Sequence, residues 1–199
     1  MQKMLEGYLK EFDNDEQSVI YFEAVKKTFH DYPKNVKKLD VVLKVAVINE
    51  LYRTNVLGAY KMVSHIQKLA TKEDLDNLLK KGDINAINKI RKGHGNLCKN
   101  SKENRDDYSF ATKYCHFSNP KCYPIYDHYV EMAIKDLQKN NKSQEQKQED
   151  IYDQQKDNLR DPLVFKSIID RIRVRSGIND YQKIDRALWV YGNVLAKEW

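Results

Sequence analysis

Glycine and proline are scarce in this chain of 199 residues, which holds seven of the one and four of the other, so few positions interrupt regular structure. No segment alternates apolar and polar residues as a half-buried strand would. No apolar run approaches the roughly 18 residues that a membrane-spanning helix needs. The opening residues, MQKMLEGYLKEF, mix charge with apolar side chains, unlike a secretory signal. These absences lead to the expectation of an all-α, cytoplasmic protein with no membrane partner. Cysteine is also sparse: three residues, an odd number without an export signal, argue for reduced thiols rather than a disulfide framework.

Motifs are missing as well. The chain has no G-x-S-x-G elbow, no P-loop and no H-E-x-x-H, so acyl transfer, nucleotide hydrolysis and zincin chemistry lack their usual geometry. His94, Cys98, Cys115, His116 and Cys122 lie close in sequence, and His94-x3-Cys98 suits zinc. Yet there is no paired C-x2-C, and Cys115 falls on the apolar side of its helix. Nor is there a four-cysteine iron–sulfur pattern. No metal and no cofactor are therefore expected. A helical ribonuclease with Arg91 and His94 on one helix is disfavoured, because Gly93 interrupts the helix that would carry both.

What the chain does have is positive charge among aromatics. A net charge of +6 and 13 tyrosines suit nucleic acid, since Lys and Arg neutralise phosphates while aromatic faces stack on bases. The plainer reading of a lysine-rich helix is a solvated face.

Apolar residues recur at helical spacing along most of the chain. Leu39, Val42, Leu43, Ala46 and Val47 form one stripe, Tyr60, Val63 and Ile66 a second, and Met62, Ile66 and Leu69 a third. Phe110, Tyr114 and Phe117 follow, then Ile184, Leu188, Tyr191 and Leu195. All are expected to be core. Helices are predicted over 2–12, 17–30, 36–53, 57–70, 72–81, 83–92, 106–118, 127–139, 161–175 and 180–197. Residues 139–158 are polar and nearly free of apolar side chains, which reads as a surface loop or a solvated helical extension. The whole is expected to be one helical domain over 1–199. Residues 36–105 would form a first lobe and 159–199 would pack with the N-terminal segment.

The most informative stretch is SFATKYCHFSNPKCYPIYDHYV, Ser109 to Val130. Pro124 cannot donate a backbone hydrogen bond and disfavours helix before it, so Asp127 stands where a helix N-cap belongs. A cap is the plain reading. A carboxylate at a helix N-terminus also tends to stay ionised, which suits an electrostatic or base role.

Taken with the late helix YQKIDRALWVYG, this stretch resembles the helix-hairpin-helix DNA glycosylase superfamily, and its 8-oxoguanine DNA glycosylase-fold branch in particular. The resemblance covers about residues 36–199. It implies a two-lobed helical fold of nine or ten helices, with Asp127 as the catalytic carboxylate. Breaking an N-glycosidic bond builds positive charge on the deoxyribose, which a fixed anion stabilises. The implied partner is double-stranded DNA bearing a modified or damaged base, bound by a monomer.

The resemblance distributes further roles. Asn49, Tyr52, Arg53 and Asn55, in NELYRTN, would fill the space left by the flipped base, although an ordinary interhelical turn would use Asn55 as a cap. Trp189 and Asp185, one helical turn apart, would meet the base together with His128. Gly93, His94, Gly95, Asn96 and Lys99 would contact phosphate, although they lie further upstream of the motif helix than the family's hairpin does. Where bifunctional members carry a Schiff-base lysine, this chain has Asp107, Tyr108 and Ser109, and Lys113 is expected to be a solvated surface residue. The expectation is thus a monofunctional glycosylase that leaves an abasic site, in repair or in defence against modified phage DNA. The alternative is a catalytically inactive helical DNA-binding module.

Overall fold

The computed structural model describes residues 1–95, 97–98, 103–142, 151 and 158–197, the side chains of 140–142 excepted. The helices are α1 Gln2–Asn14, α2 Glu16–Asp31, α3 Lys38–Leu51, α4 Ala59–Lys72, α5 Leu75–Lys81, α6 Asn85–Arg91, α7 Tyr108–Ser118, α8 His128–Lys142, α9 Pro162–Ser176 and α10 Tyr181–Lys197. Each overlaps the span that periodicity predicts. The described residues contain no strand beyond the isolated bridge between Leu97 and Asn104, so the all-α class holds.

The ends shift for steric reasons. The third helix stops at Leu51 because Arg53 and Asn55 take positive φ, which no helix accommodates. The fifth begins only at Leu75, after Asp74 at φ +53°.

The chain divides into two compact units, one of Met1–Val19 with Pro124–Trp199 and the other of Ile20–Tyr123. The first contains α1, α8, α9 and α10, and its C-terminal helices pack with α1. Leu5, Val130, Ile134, Ile168, Ile172, Ile184 and Leu188 are buried within it. Gly192 decides how α10 meets α8: a Cβ there would stand 1.9 Å from the Tyr129 carbonyl oxygen. A mid-helix glycine costs roughly 1 kcal/mol in propensity, and close backbone approach is what offsets it. The Tyr191 hydroxyl donates to Asp136, and its ring stacks on Tyr8 at 5.0 Å. Ile151 departs from the expected solvated segment: it is buried, and its N–H donates to Gln138 Oε1 at 2.8 Å.

The second unit is built on α7, where every residue from Tyr108 to Phe117 except Ser109 is buried. The stripe expected on α3 is corrected. Leu39 is 70% exposed, and Val42 and Ala46 also face solvent, while Val41, Lys44, Val45 and Ile48 turn inward. The helix is apolar on several sides, so spacing alone fits more than one face. Lys44 settles the choice, because its amine donates to Asn35 Oδ1 at 2.5 Å and to the Lys34 carbonyl at 2.9 Å. Burial pushes its pKa down to about 8, against the opposing pull of Asp76 and Asp40. Tyr60 is likewise exposed, with its ring under the Lys38 amine at 5.2 Å.

Candidate nucleic-acid interface and candidate catalytic carboxylate

Non-glycine residues with positive φ are uncommon, and two of them fall within four positions after α3. Arg53 has φ +47° and Asn55 φ +54°. The turn keeps this shape because Asn49 reaches across it: its Oδ1 accepts from the Thr54 hydroxyl at 3.1 Å and from the Val56 N–H at 2.8 Å. Asn49 is therefore a brace rather than a free reader. Tyr52 is half-buried against Phe117, at 5.6 Å between ring centres. That leaves Arg53 and Asn55 with exposed side chains at the tip.

The Asn55 carbonyl accepts from Arg105 Nη2 at 3.0 Å, and the same nitrogen donates to Asp107 Oδ1 at 2.9 Å. Asp107 Oδ2 lies 3.2 Å from His94 Nε2, with the two side chains 2% and 0% exposed. The Gly93–Gly95 loop, with φ of +85° and +74° at its glycines, carries the His94 ring into this contact. Gly93 and Gly95 are exposed, whereas the His94 ring is interior and unable to reach a phosphate. Burial pushes the His94 pKa below the usual imidazole value; Asp107 and a backbone hydrogen bond with Arg91 oppose this, while His65 and Arg105 reinforce it. Asn96 and Lys99 lie outside the described residues. Arg91 holds Asp106, with Nε 2.6 Å from Oδ1.

Lys113 overturns the expectation of a solvated side chain. It is 1% exposed, donates to Ser109 Oγ at 2.8 Å and lies 5.7 Å from the Tyr52 ring centre. The physical reason is that α7 is encased on nearly all sides, so its polar positions have no solvent face to occupy.

In the other unit Asp127 immediately precedes α8, and its Oδ1 accepts the Tyr129 N–H at 3.1 Å. Its carbonyl accepts from Glu131 at 2.9 Å, the first helical bond. The local chain is stiff: Tyr126 is buried, its ring meets Phe165 edge-on at 5.5 Å, and its hydroxyl donates to Glu131. Burial raises the Tyr126 pKa well above the phenolic norm, and the bond to Glu131 adds to this. Asp127 itself is half-exposed and His128 exposed.

Trp189 is half-buried between Phe12 and Tyr129, whose rings meet it edge-on at 6.3 and 5.9 Å. With Glu11, Asp15, Ser18, Asn193 and Lys197 it lines a hollow of about 300 Å³, the lower end of ligand-pocket size. Asp127 is outside that lining; Tyr129, two residues on, links the two through its contact with Trp189. Asp185, half-buried, precedes Trp189 by one turn of α10. Sequence reasoning missed Asp107 and Arg105, since nothing in their spacing distinguishes them from solvated charges. It also missed the hollow's Glu11 and Asp15, which come from the other end of the chain.

Among the described residues no group of three or more His, Cys, Asp or Glu side chains is placed to hold a metal. Burial holds the Cys115 thiol protonated, raising its pKa well above the usual value.

The chain's residues 4–122 match the family described as HI_0787_N, N-terminal domain. A Haemophilus influenzae protein described as an uncharacterized protein is 32% identical over 153 residues, which span 76% of this chain and 66% of that relative's length. No solved structure matches.

Proposed function

We propose that this chain, which belongs to the HI_0787_N family through residues 4–122, is a monofunctional DNA glycosylase that removes a flipped, modified or damaged base and leaves an abasic site. The observation that carries the reading is the turn after α3: strained backbone persists where function holds it, and here Asn49 and Arg105 fix a shape that presents Arg53 and Asn55 to solvent. A side chain offered on so stiff a turn can enter the space of an extruded base without first losing its own freedom. Asp127 supports the reading. Its cap bond fixes the carboxylate at the start of α8, where it would stabilise positive charge developing on the sugar. Trp189 offers a flat apolar wall, with Asp185 one turn before it on α10, and His128 opens α8 beside Tyr129, whose ring meets Trp189.

Incubating the protein with duplexes bearing different modified bases, followed by alkali, tests this. Asp127→Asn should lower strand scission at least about a hundredfold while duplex binding persists. Scission at the wild-type rate in that variant would remove Asp127 from the chemistry.

A second reading, in which the enzyme also cleaves the strand through a Schiff base, would draw on Lys113, one turn along α7 from Ser109, whose Oγ accepts from its amine at 2.8 Å. Borohydride without alkali separates the two: a trapped covalent adduct that Lys113→Gln abolishes establishes the lyase, and its absence leaves simple hydrolysis. The alternative of a catalytically inactive DNA-binding module predicts binding with no scission on any substrate. Repair and defence against modified phage DNA are distinguished by which bases are released.

A further inference from the structure

Asp107 stands where a helix N-cap would, immediately before α7, yet its side chain makes no cap hydrogen bond. Its carboxylate is used elsewhere. Oδ1 accepts from Arg105 Nη2 at 2.9 Å and from Nε at 3.2 Å, while Oδ2 faces His94 Nε2 at 3.2 Å. The Asp107 N–H donates to the Arg91 carbonyl at 3.0 Å, at the end of α6, and its carbonyl accepts from Ala111 in α7.

Through Arg105 the same carboxylate is coupled to the Asn55 carbonyl, and its Oδ2 faces the His94 ring of the Gly93–Gly95 loop. Asp107 therefore meets four pieces of chain: its N–H bonds the end of α6, its carbonyl bonds α7, its Oδ1 reaches the turn after α3 through Arg105, and its Oδ2 faces His94 of the glycine loop. Arg53 in the turn and Lys92 before the loop are exposed, and the exposed Lys61 amine donates to the Gly95 carbonyl at 3.0 Å.

Burying a carboxylate at 2% side-chain exposure costs several kcal/mol unless cations repay it, so sequences keep such a group where geometry matters. A guanidinium divided between a carboxylate and a backbone carbonyl fixes direction as well as distance.

We propose that Asp107 is a positioning residue for duplex DNA: it holds the Arg53–Asn55 turn and the Gly93–Gly95 loop at one fixed spacing, so that both meet the same phosphodiester backbone. Asp107 touches no nucleic acid itself. It acts through Arg105 on the turn and through His94 on the loop. The DNA part of this rests on the glycosylase reading, whereas the mechanical coupling does not.

Hydrogen exchange of the whole chain, without DNA, tests the coupling. In Asp107→Asn, amides of residues 54–56 and 93–95 should lose protection together by about tenfold, while those of α8 and α10 keep theirs. Arg105→Gln should loosen 54–56 and spare 93–95. If Asp107→Asn unfolds its unit, seen as lost protection throughout α4, Arg105→Gln carries the test alone. Protection unchanged in 54–56 in either folded variant, or both segments loosened equally by Arg105→Gln, overturns the proposal.

Anisotropy with a fluorescent duplex then tests the DNA part. Wild type should bind with a steep salt dependence, and the variants should bind at least about tenfold more weakly with a shallower slope. A wild type that binds no duplex removes the glycosylase reading and the DNA role while leaving the coupling intact. Coupled loosening with unchanged affinity removes the DNA role alone.

Discussion

Among the described residues, six aspartates directly precede helices, and four of them, Asp107, Asp127, Asp161 and Asp180, do three different things. Asp161 and Asp180 are plain caps: each accepts two backbone N–H groups of the helix that follows, and each is exposed. Asp127 caps α8 with a single bond and is half-exposed beside a buried tyrosine. Asp107 makes no cap bond and is buried with Arg105 and His94. Position before a helix selects the residue type, then, but surroundings select the use. An exposed Asp finds its nearest donors in its own helix, whereas a buried one must first answer a neighbouring cation.

The widest separation should be between Asp107 and the rest. Asp107→Ala removes the carboxylate that Arg105 holds and should destabilise the protein by about 2 to 3 kcal/mol. Urea unfolding measures it, and a loss near 1 kcal/mol would reduce Asp107 to an ordinary cap. Next in size, Asp161→Ala and Asp127→Ala should each cost about 1 kcal/mol, as caps do. The pair sharpens the contrast, because Asp161→Ala should leave base release untouched while Asp127→Ala abolishes it. Equal activity in both would make Asp127 no more than Asp161 is.

The smallest effect is on pH. Since the folded pKa of His94 lies below its unfolded value, the folded protein takes up fewer protons than the unfolded chain between them. Stability is thus full above the unfolded value of about 6.5 and declines as pH falls below it. His94→Gln should flatten this decline when unfolding is followed from about pH 7 to 5. A profile as steep as that of the wild type would place the acid sensitivity elsewhere.

The ten helices were legible because each carries its own evidence in spacing and breakers, and their observed positions follow the expected spans. Asp127 as a helix start was legible for the same local reason, through Pro124 and the apolar run after it. The inward face of α3 was not, since Leu39 and Val41 are equally apolar and only the buried Asn35 and Tyr114 decide which side holds Lys44. Lys113 was misjudged because charge implies solvent only where a helix has a free side. The Asp107 assembly joins residues 55, 94, 105 and 107, and no spacing rule connects the first of these to the last.

Local backbone preference and hydrophobic period act over a few residues, so the chain's order alone determined an all-helical protein with an aspartate at the start of α8. Which face of a helix is inner, which charge is buried and which aspartate caps depend on donors and acceptors supplied from distant parts of the chain. Only folding brings those together, and it alone decided that Asp107 and Lys113 are interior while Leu39 meets water.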